Sequence, residues 1–274
     1  MVNAFDSASK TDLHGLSAND FHAWSGKASL TIVKAGPVYH NRVLVLVDGR
    51  GMASKDIRDI AQLVREQAPP AMPVALGVLR SRVAFTRGFL TDYDEFGAEI
   101  ANLLVSSSAP AQLSLYGALQ QAITFFGPAR SGDTLLLVTS GTSTHKLRER
   151  DIARSFNRHQ LRLQLLMPPP PVSVNASSLF SVWENAERFS GNLITLANHT
   201  GGALMGFMNA DWVGVASAGY MLAVQFPSTM VKPAAWNVSL PGSPVKADLF
   251  YPATVTPCSQ TIRASAFNPG AVRP

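Results

Sequence analysis

A run of five apolar residues that ends in an aspartate, "VLVLVD" at 43–48, is the feature that most restricts how this chain can fold. A strand with one face in water alternates apolar and polar residues, whereas a parallel strand covered on both faces is apolar throughout. The run therefore predicts a central strand of a parallel sheet with helices on both sides. In open α/β sheets ligands bind at the carboxyl ends of such strands, so Asp48 lies at a candidate site.

Strand and helix patterns alternate after this run. Apolar residues recur at helical spacing from 55 to 67, with Ser54 as the predicted cap, and "DTLLLVTSG" predicts a second buried strand. Gly127 and Pro128 predict the end of another helix. The remaining patterns are strands in "MPVALGVLR", "RVAFTRGFL" and "LRLQLLM" and helices at 92–107, 114–127 and 146–159. This alternation predicts a doubly wound, mainly parallel, Rossmann-like α/β sheet.

The two ends of the chain have a different pattern. "SLTIVKAG" precedes the first core strand, and "GYMLAVQFP", "AAWNVSLPG" and "VKADLFYP" follow the last helix without helices between them. Short strands from both ends could pair and cover each other's edges. We expect residues 28–33 to contact residues between 218 and 251. The predicted division is a lead-in at 1–40 that belongs to a β-rich appendage, an α/β domain at 41–210, and antiparallel strands with a tail at 211–274.

Composition excludes several classes of site. Cys258 is the only cysteine, so neither an intrachain disulfide nor a cysteine-based zinc site can form within one chain. No segment reaches the ~20 apolar residues of a membrane span, and no signal-peptide pattern opens the chain. The net charge of +5 is a mild basic excess that does not by itself indicate nucleic acid.

Enzyme and nucleic-acid motifs are incomplete. "TSGTSTH" at 139–145 contains hydroxyls and His145 but no Gly-x-Ser-x-Gly elbow, and "DGRGMA" is neither a dinucleotide-binding turn nor a phosphate loop. No two of the six histidines are spaced i, i+4. The predicted helix at 146–159 is rich in basic residues, but Glu149 and Asp151 interrupt them. This pattern favours a solvent-exposed helix face over a nucleic-acid site. No cofactor is predicted.

Several motifs together resemble one family. "VLVLVDGRGMAS" is similar to the first strand and metal loop of von Willebrand factor A domains, whose strand ends in Asp-x-Ser-x-Ser. "LYGALQQAI" resembles their Leu-Tyr-Asp-Ala-Leu helix, and "DTLLLVTSG" resembles their strand that ends in Thr-Asp-Gly. "GLSANDFHAWSGKASLTIVKAG" and "LANHTGGALM" resemble segments of the bacterial von Willebrand factor A-related proteins known chiefly from acidobacteria. The resemblance spans roughly residues 15 to 250 and implies the same α/β fold.

The family's metal-ion-dependent adhesion site is degenerate here. The resemblance places its ligand positions at Asp48, Arg50, Met52, Leu113 and Ser140. A hard cation needs about six oxygen ligands, and the side chains of Met52 and Leu113 contain no oxygen. We therefore predict no metal and expect Arg50 near Asp48, where it could recognise an acidic group of a partner. Alternatively Arg50 points into solvent, Asp48 accepts hydrogen bonds from backbone or hydroxyl groups, and Met52 and Leu113 are packing residues.

The resemblance implies a non-enzymatic protein-interaction or adhesion-type module with an unidentified protein partner. The predicted contact residues at the top of the sheet are Asp48, Arg50, Met52, Ser54, Leu113, Ser140 and Thr142. The alternative is a structural or assembly module within a larger exported protein, and a hydrolase using Ser140 or His145 is the least favoured function. An extracellular or periplasmic location is implied by the resemblance only, and the oligomeric state stays open.

Overall fold

The computed structural model describes residues 1–9, 11–38, 41–50, 52–92, 94–108, 113–128, 130–139, 149–167, 191–205, 213, 216, 219–255 and 257. The strands in chain order are β1 (Asn3–Asp6), β2 (His22–Ser25), β3 (Ala28–Pro37), β4 (Val43–Asp48), β5 (Val74–Leu79), β6 (Val83–Phe85), β7 (Thr134–Val138), β8 (Arg162–Leu166), β9 (Leu204–Met205), β10 (Tyr220–Gln225), β11 (Ala234–Ala235), β12 (Asn237–Ser239), β13 (Ala247–Phe250) and β14 (Thr254–Val255). The helices are α1 (Ser54–Gln67), α2 (Asp94–Ser106), α3 (Leu115–Phe126), α4 (Glu149–Arg158) and α5 (191–199).

The central sheet of the described residues has the order β6-β5-β4-β7-β8-β9. All neighbours are parallel except β6, which pairs antiparallel with β5 at one edge. β5 and β6 follow β4 in the chain and lie on one side of it. The chain then crosses over, so that β7 lies on the other side of β4. The predicted doubly wound, mainly parallel sheet is confirmed.

Both faces of the sheet are covered by helices. The leucines of β4 pack with α3, α4 and α5, whereas its valines pack with α1 and α2 on the opposite face. All five apolar residues of β4 are 0% exposed. The apolar run thus forms a central strand because burial on both faces leaves no position for a polar side chain before the strand ends.

The cap residues predicted from the sequence can be compared with the observed ends of α1 and α3. Gly127 ends α3 with a φ of 67°, as its sequence pattern predicted. The prediction that Ser54 caps α1 is wrong, because the helix already begins at Ser54 and Ala53 holds the cap position. The Asp56 carboxylate instead accepts a hydrogen bond from the Ala53 N–H at 3.2 Å. The Ser54 hydroxyl is therefore left to accept a hydrogen bond from another segment.

The chain ends build an antiparallel appendage. A four-stranded sheet has the order β10-β3-β2-β12, and Thr31 of β3 pairs with Gln225 of β10. The expected contact between residues 28–33 and the C-terminal strands is confirmed. The sequence analysis missed β1, which pairs with β13, because "NAFD" is short and has little strand pattern. Phe21, Tyr220 and Trp236 belong to a separate apolar core beneath these strands.

Arg162 joins the appendage to the central sheet. Its buried guanidinium donates hydrogen bonds to the Asn3 side-chain oxygen in β1, to the Thr134 hydroxyl in β7 at 3.1 Å and to the Ala216 carbonyl. Burial lowers the pKa of Arg162 to about 9, so the side chain is still charged at neutral pH. In the described part of the chain, no helix is both long and apolar enough to cross a membrane.

Candidate functional site

The carboxyl ends of β4 and β7 lie side by side where the strand order reverses. Asp48 is the last residue of β4, and Thr139 directly follows β7. The Thr139 hydroxyl donates a hydrogen bond to Asp48 Oδ2 at 3.1 Å, and both residues are buried. In doubly wound sheets this reversal point forms the crevice in which ligands bind. The topology therefore places Asp48 at the position that its sequence predicted.

Arg50 occupies both carboxylate oxygens of Asp48. Its Nε lies 2.7 Å from Oδ1 and its Nη2 lies 2.7 Å from Oδ2, which is a bidentate ion pair. The expectation that Arg50 lies near Asp48 is confirmed, and the alternative in which Arg50 only points into solvent is wrong. The hydrogen bond to Asp48 raises the pKa of Arg50 above its ordinary value, so its charge is permanent at any physiological pH. The Arg50 side chain stays 30% exposed, against 6% for Asp48.

Two of the positions that the sequence resemblance assigns to metal ligands hold side chains without oxygen. Met52 packs against the apolar core beneath α1 and α2, and Leu113 packs against the core on the α3 side. Both pack against apolar residues, in agreement with the alternative that the sequence left open, and neither side chain offers oxygen. Among the described residues no three histidine, cysteine, aspartate or glutamate side chains form a group that could hold a metal. A hard cation would have to displace the Arg50 guanidinium to reach Asp48.

Arg80 is a member of this corner that the sequence analysis did not predict. It directly follows β5, whose last residue pairs with Asp48 in the parallel ladder. Its Nη2 donates to the Ser54 hydroxyl at 2.9 Å and more weakly to the Met52 carbonyl at 3.5 Å. Its Nη1 donates to the Ser108 hydroxyl at 3.3 Å. The sequence signal that could have identified Arg80 was its position. It directly follows a predicted apolar strand, as Asp48 ends one.

The predicted contact residues are brought together in part. Arg50, Met52 and Ser54 lie in the loop and first helical turn after Asp48, and Arg80 connects this loop to the end of β5. The Leu113 N–H donates to the Ser81 carbonyl at 2.8 Å, so Leu113 lies at the same edge of the sheet. The predicted residues Ser140, Thr142 and His145 lie outside the described residues. Thr139, one position before Ser140, donates a hydrogen bond to Asp48.

No protein-family model matches the chain, and no curated protein matches it. Among solved structures, the BatB protein of Bacteroides thetaiotaomicron is 14% identical, with a TM-score of 0.41 over 62% of this chain and 91% of that chain. A von Willebrand factor type A protein of Catenulispora acidiphila is 11% identical, with a TM-score of 0.43 over 79% and 47% of the two chains. A manganese-loaded TRAP protein of Plasmodium vivax is 11% identical, with a TM-score of 0.42 over 81% and 96%. The chain is similar to von Willebrand factor A structures. These low scores add nothing about its ligands, and the strand order above is what establishes the fold class.

Proposed function

We propose that this chain is a non-enzymatic protein-interaction module without a functional metal site. We also propose that it contacts its partner through the loops around Arg50, at the carboxyl ends of the parallel strands. The observation that carries the proposal is the bidentate ion pair between Arg50 and Asp48. A guanidinium stands at the position for which the sequence resemblance implies a metal ion. The proposal also includes an extracytoplasmic location, which fractionation of the source cells with an antibody against the chain would test.

Arg50 has the properties of a permanent substitute for a cation. It neutralises the carboxylate of a side chain that is 6% exposed, and no change of metal concentration or of pH near neutrality removes its charge. The exposed part of its side chain remains accessible to a partner. Arginine is enriched at protein interfaces because its planar guanidinium combines apolar contact with directed hydrogen bonds. The geometry therefore suits recognition.

The same geometry is poorly suited to catalysis by Asp48. A general base must have a free oxygen lone pair directed at the substrate proton and a pKa near the working pH. Here Arg50 covers both carboxylate oxygens, and Thr139 donates a further hydrogen bond to one of them. These bonds leave neither oxygen free to accept a proton from a substrate. A binding role for this edge accounts for the observed contacts better than a hydrolytic role does.

The test compares partners captured by the immobilised chain and by its variants, followed by calorimetry with each purified partner. Arg50→Ala leaves Asp48 without its cation, so the double variant Asp48→Asn with Arg50→Gln is included to keep a neutral hydrogen-bonded pair. We expect at least tenfold weaker binding for both variants, with Arg158→Ala unchanged because exposed Arg158 lies at the far end of α4. A partner that binds all variants equally would support the structural or assembly module instead. Turnover of an ester or peptide substrate that Ser140→Ala or His145→Ala abolishes would support a hydrolase.

A further inference from the structure

The corner where β4 and β5 end carries more positive charge than its carboxylates neutralise. Asp48 is paired with Arg50, and Asp56 in the first turn of α1 accepts a hydrogen bond from the Ala53 N–H. Lys55 is exposed beside Asp56, and the two arginines that follow β5 add further positive charge. Among the residues that the structure describes, the charged side chains here are Arg50, Lys55, Arg80 and Arg82 against Asp48 and Asp56.

Arg82 and Arg80 differ in what they contact. Arg82 Nε donates to the Ser106 carbonyl at the end of α2, where the partial negative charge of a helix C-terminus stabilises a cation. Arg80 instead contacts the Ser54 hydroxyl at the start of α1, where the helix dipole is positive. The dipole of α1 therefore adds to the positive potential around Arg80 rather than reducing it.

The three contacts of Arg80 orient its guanidinium without neutralising it. The Ser54 hydroxyl, the Met52 carbonyl and the Ser108 hydroxyl are uncharged acceptors, and they come from two separate segments, the start of α1 and the end of α2. Within the described part of the chain, no carboxylate forms an ion pair with Arg80. These contacts use three of the five N–H donors of a guanidinium, and the Nε–H is not among them. Arg80 is therefore a half-buried, oriented cation with donors to spare.

We propose that Arg80 recognises a carboxylate side chain of an acidic segment in the partner protein, which makes it the residue that determines specificity at this edge. The proposal rests on the proposed function. The charge of Arg50 is already neutralised within the chain, whereas Arg80 retains an unneutralised charge and an oriented guanidinium. A cation that is already held in place loses little conformational entropy when it binds.

The balance of charge favours an acidic protein segment over a nucleic acid. Asp48 and Asp56 lie among the cations, so the excess of positive charge is small and local. It can accommodate one or two carboxylates. Nucleic acids instead require a continuous basic surface that neutralises many successive phosphates.

The experiment is an NMR titration of the ¹⁵N-labelled chain with an acetylated and amidated tetraglutamate peptide, at an ionic strength held constant with chloride. Both the backbone amides and the arginine Nε–H signals are followed. In the wild type we expect saturable shifts of the Arg80 Nε–H signal and of the Ser54 amide. We expect at least tenfold weaker binding in Arg80→Gln and unchanged binding in Arg158→Gln, which removes the same charge at the opposite edge of the sheet.

The absence of saturable shifts at Arg80 in the wild type would overturn the proposal without any dependence on the folding of a variant. Equal weakening in Arg80→Gln and Arg158→Gln would also overturn it, because only net charge would then matter. A parallel titration with sodium sulfate provides a third criterion, since tighter binding of sulfate than of the peptide would assign the site to a tetrahedral oxyanion.

The outcome is separable from that of the proposed function. The peptide titration requires no natural partner, so saturable binding at Arg80 together with failure to find any Arg50-dependent partner would count against the proposed function alone. Conversely, a partner whose affinity falls with Arg50→Ala but not with Arg80→Gln would refute the role of Arg80 and leave the proposed function intact.

Discussion

The Thr139 hydroxyl donates a 3.1 Å hydrogen bond to Asp48 across the junction between β4 and β7. Together with the Arg50 guanidinium it provides hydrogen bonds to the carboxylate of a side chain that is 6% exposed. Burial of a carboxylate without such partners would cost several kcal/mol, so these contacts offset the cost of placing Asp48 at the end of a buried strand. Because the carboxylate depends on these contacts, we expect the removal of one donor to lower the free energy of unfolding.

Replacement of Thr139 by valine tests this contact. The two side chains have nearly the same shape, so Thr139→Val removes the hydroxyl with little change in packing. We expect the free energy of unfolding to fall by about 1–3 kcal/mol, because the buried carboxylate loses a hydrogen-bond donor. Thr139→Ser keeps the hydroxyl and is the control. Urea unfolding measures both variants, and equal stability of the valine and serine variants would contradict the assigned role of the hydroxyl.

Metal binding at Asp48 is a second test. We expect calorimetric titration with Mg²⁺, Mn²⁺ or Ca²⁺ to show no binding tighter than ~1 mM, because Arg50 occupies both carboxylate oxygens while Met52 and Leu113 supply no oxygen. Asp48→Ala is the control for ions bound elsewhere on the chain. Sub-millimolar binding that disappears in this variant would show that a cation can displace Arg50.

A buried ion pair near the opposite edge of the sheet provides a stability test. Arg42 Nε lies 3.1 Å from both carboxylate oxygens of Asp133, and the guanidinium carbon lies 5.0 Å from the centre of the Phe89 ring. The side chains of the pair are only 11% and 2% exposed. We expect Asp133→Ala to cost about 3–5 kcal/mol, because it leaves the Arg42 charge largely buried and unpaired.

The matched control for this pair is the exposed ion pair between Arg65 and Asp94, whose side chains are 49% and 78% exposed. We expect Asp94→Ala to change the free energy of unfolding by no more than about 1 kcal/mol, since water solvates both charges. Chemical denaturation of the two variants under identical conditions measures the difference. Equal costs would mean that burial does not determine the strength of the pair between Arg42 and Asp133.

Gly202, in the "LANHTGG" segment, is predicted to tolerate no side chain. An alanine Cβ there would lie 1.8 Å from the Leu163 carbonyl oxygen, a backbone atom of β8 that cannot move aside without disturbing the sheet. We expect Gly202→Ala to cost about 3 kcal/mol or more. A Cβ added at Gly97 in α2 would meet no atom within 4 Å, so Gly97→Ala should stabilise the chain by about 1 kcal/mol. Thermal unfolding that ranks the two variants in the reverse order would contradict this account.

The sequence by itself determined the class of fold. The apolar run of β4 permits no solvent-exposed face, and the helical spacing of α1 and the glycine at 127 mark elements by local chemistry alone. The position of Asp48 was also predictable, because a polar residue that follows a buried strand must lie at the edge of the sheet. The pairing of the terminal strands followed from their short lengths and their need to cover open edges.

Only the tertiary structure decided which side chains meet Asp48. The parallel pairing of β4 with β7 brings the Thr139 hydroxyl to the Asp48 carboxylate, a partner that the sequence did not predict. Likewise, Arg80 reaches Ser54 because β5 lies beside β4 with Leu79 opposite Asp48, an alignment that no local pattern encodes. The physical reason is that a shift of one residue in the pairing of neighbouring strands would bring different side chains to Asp48. That choice depends on strand register, which is set by packing across the whole sheet.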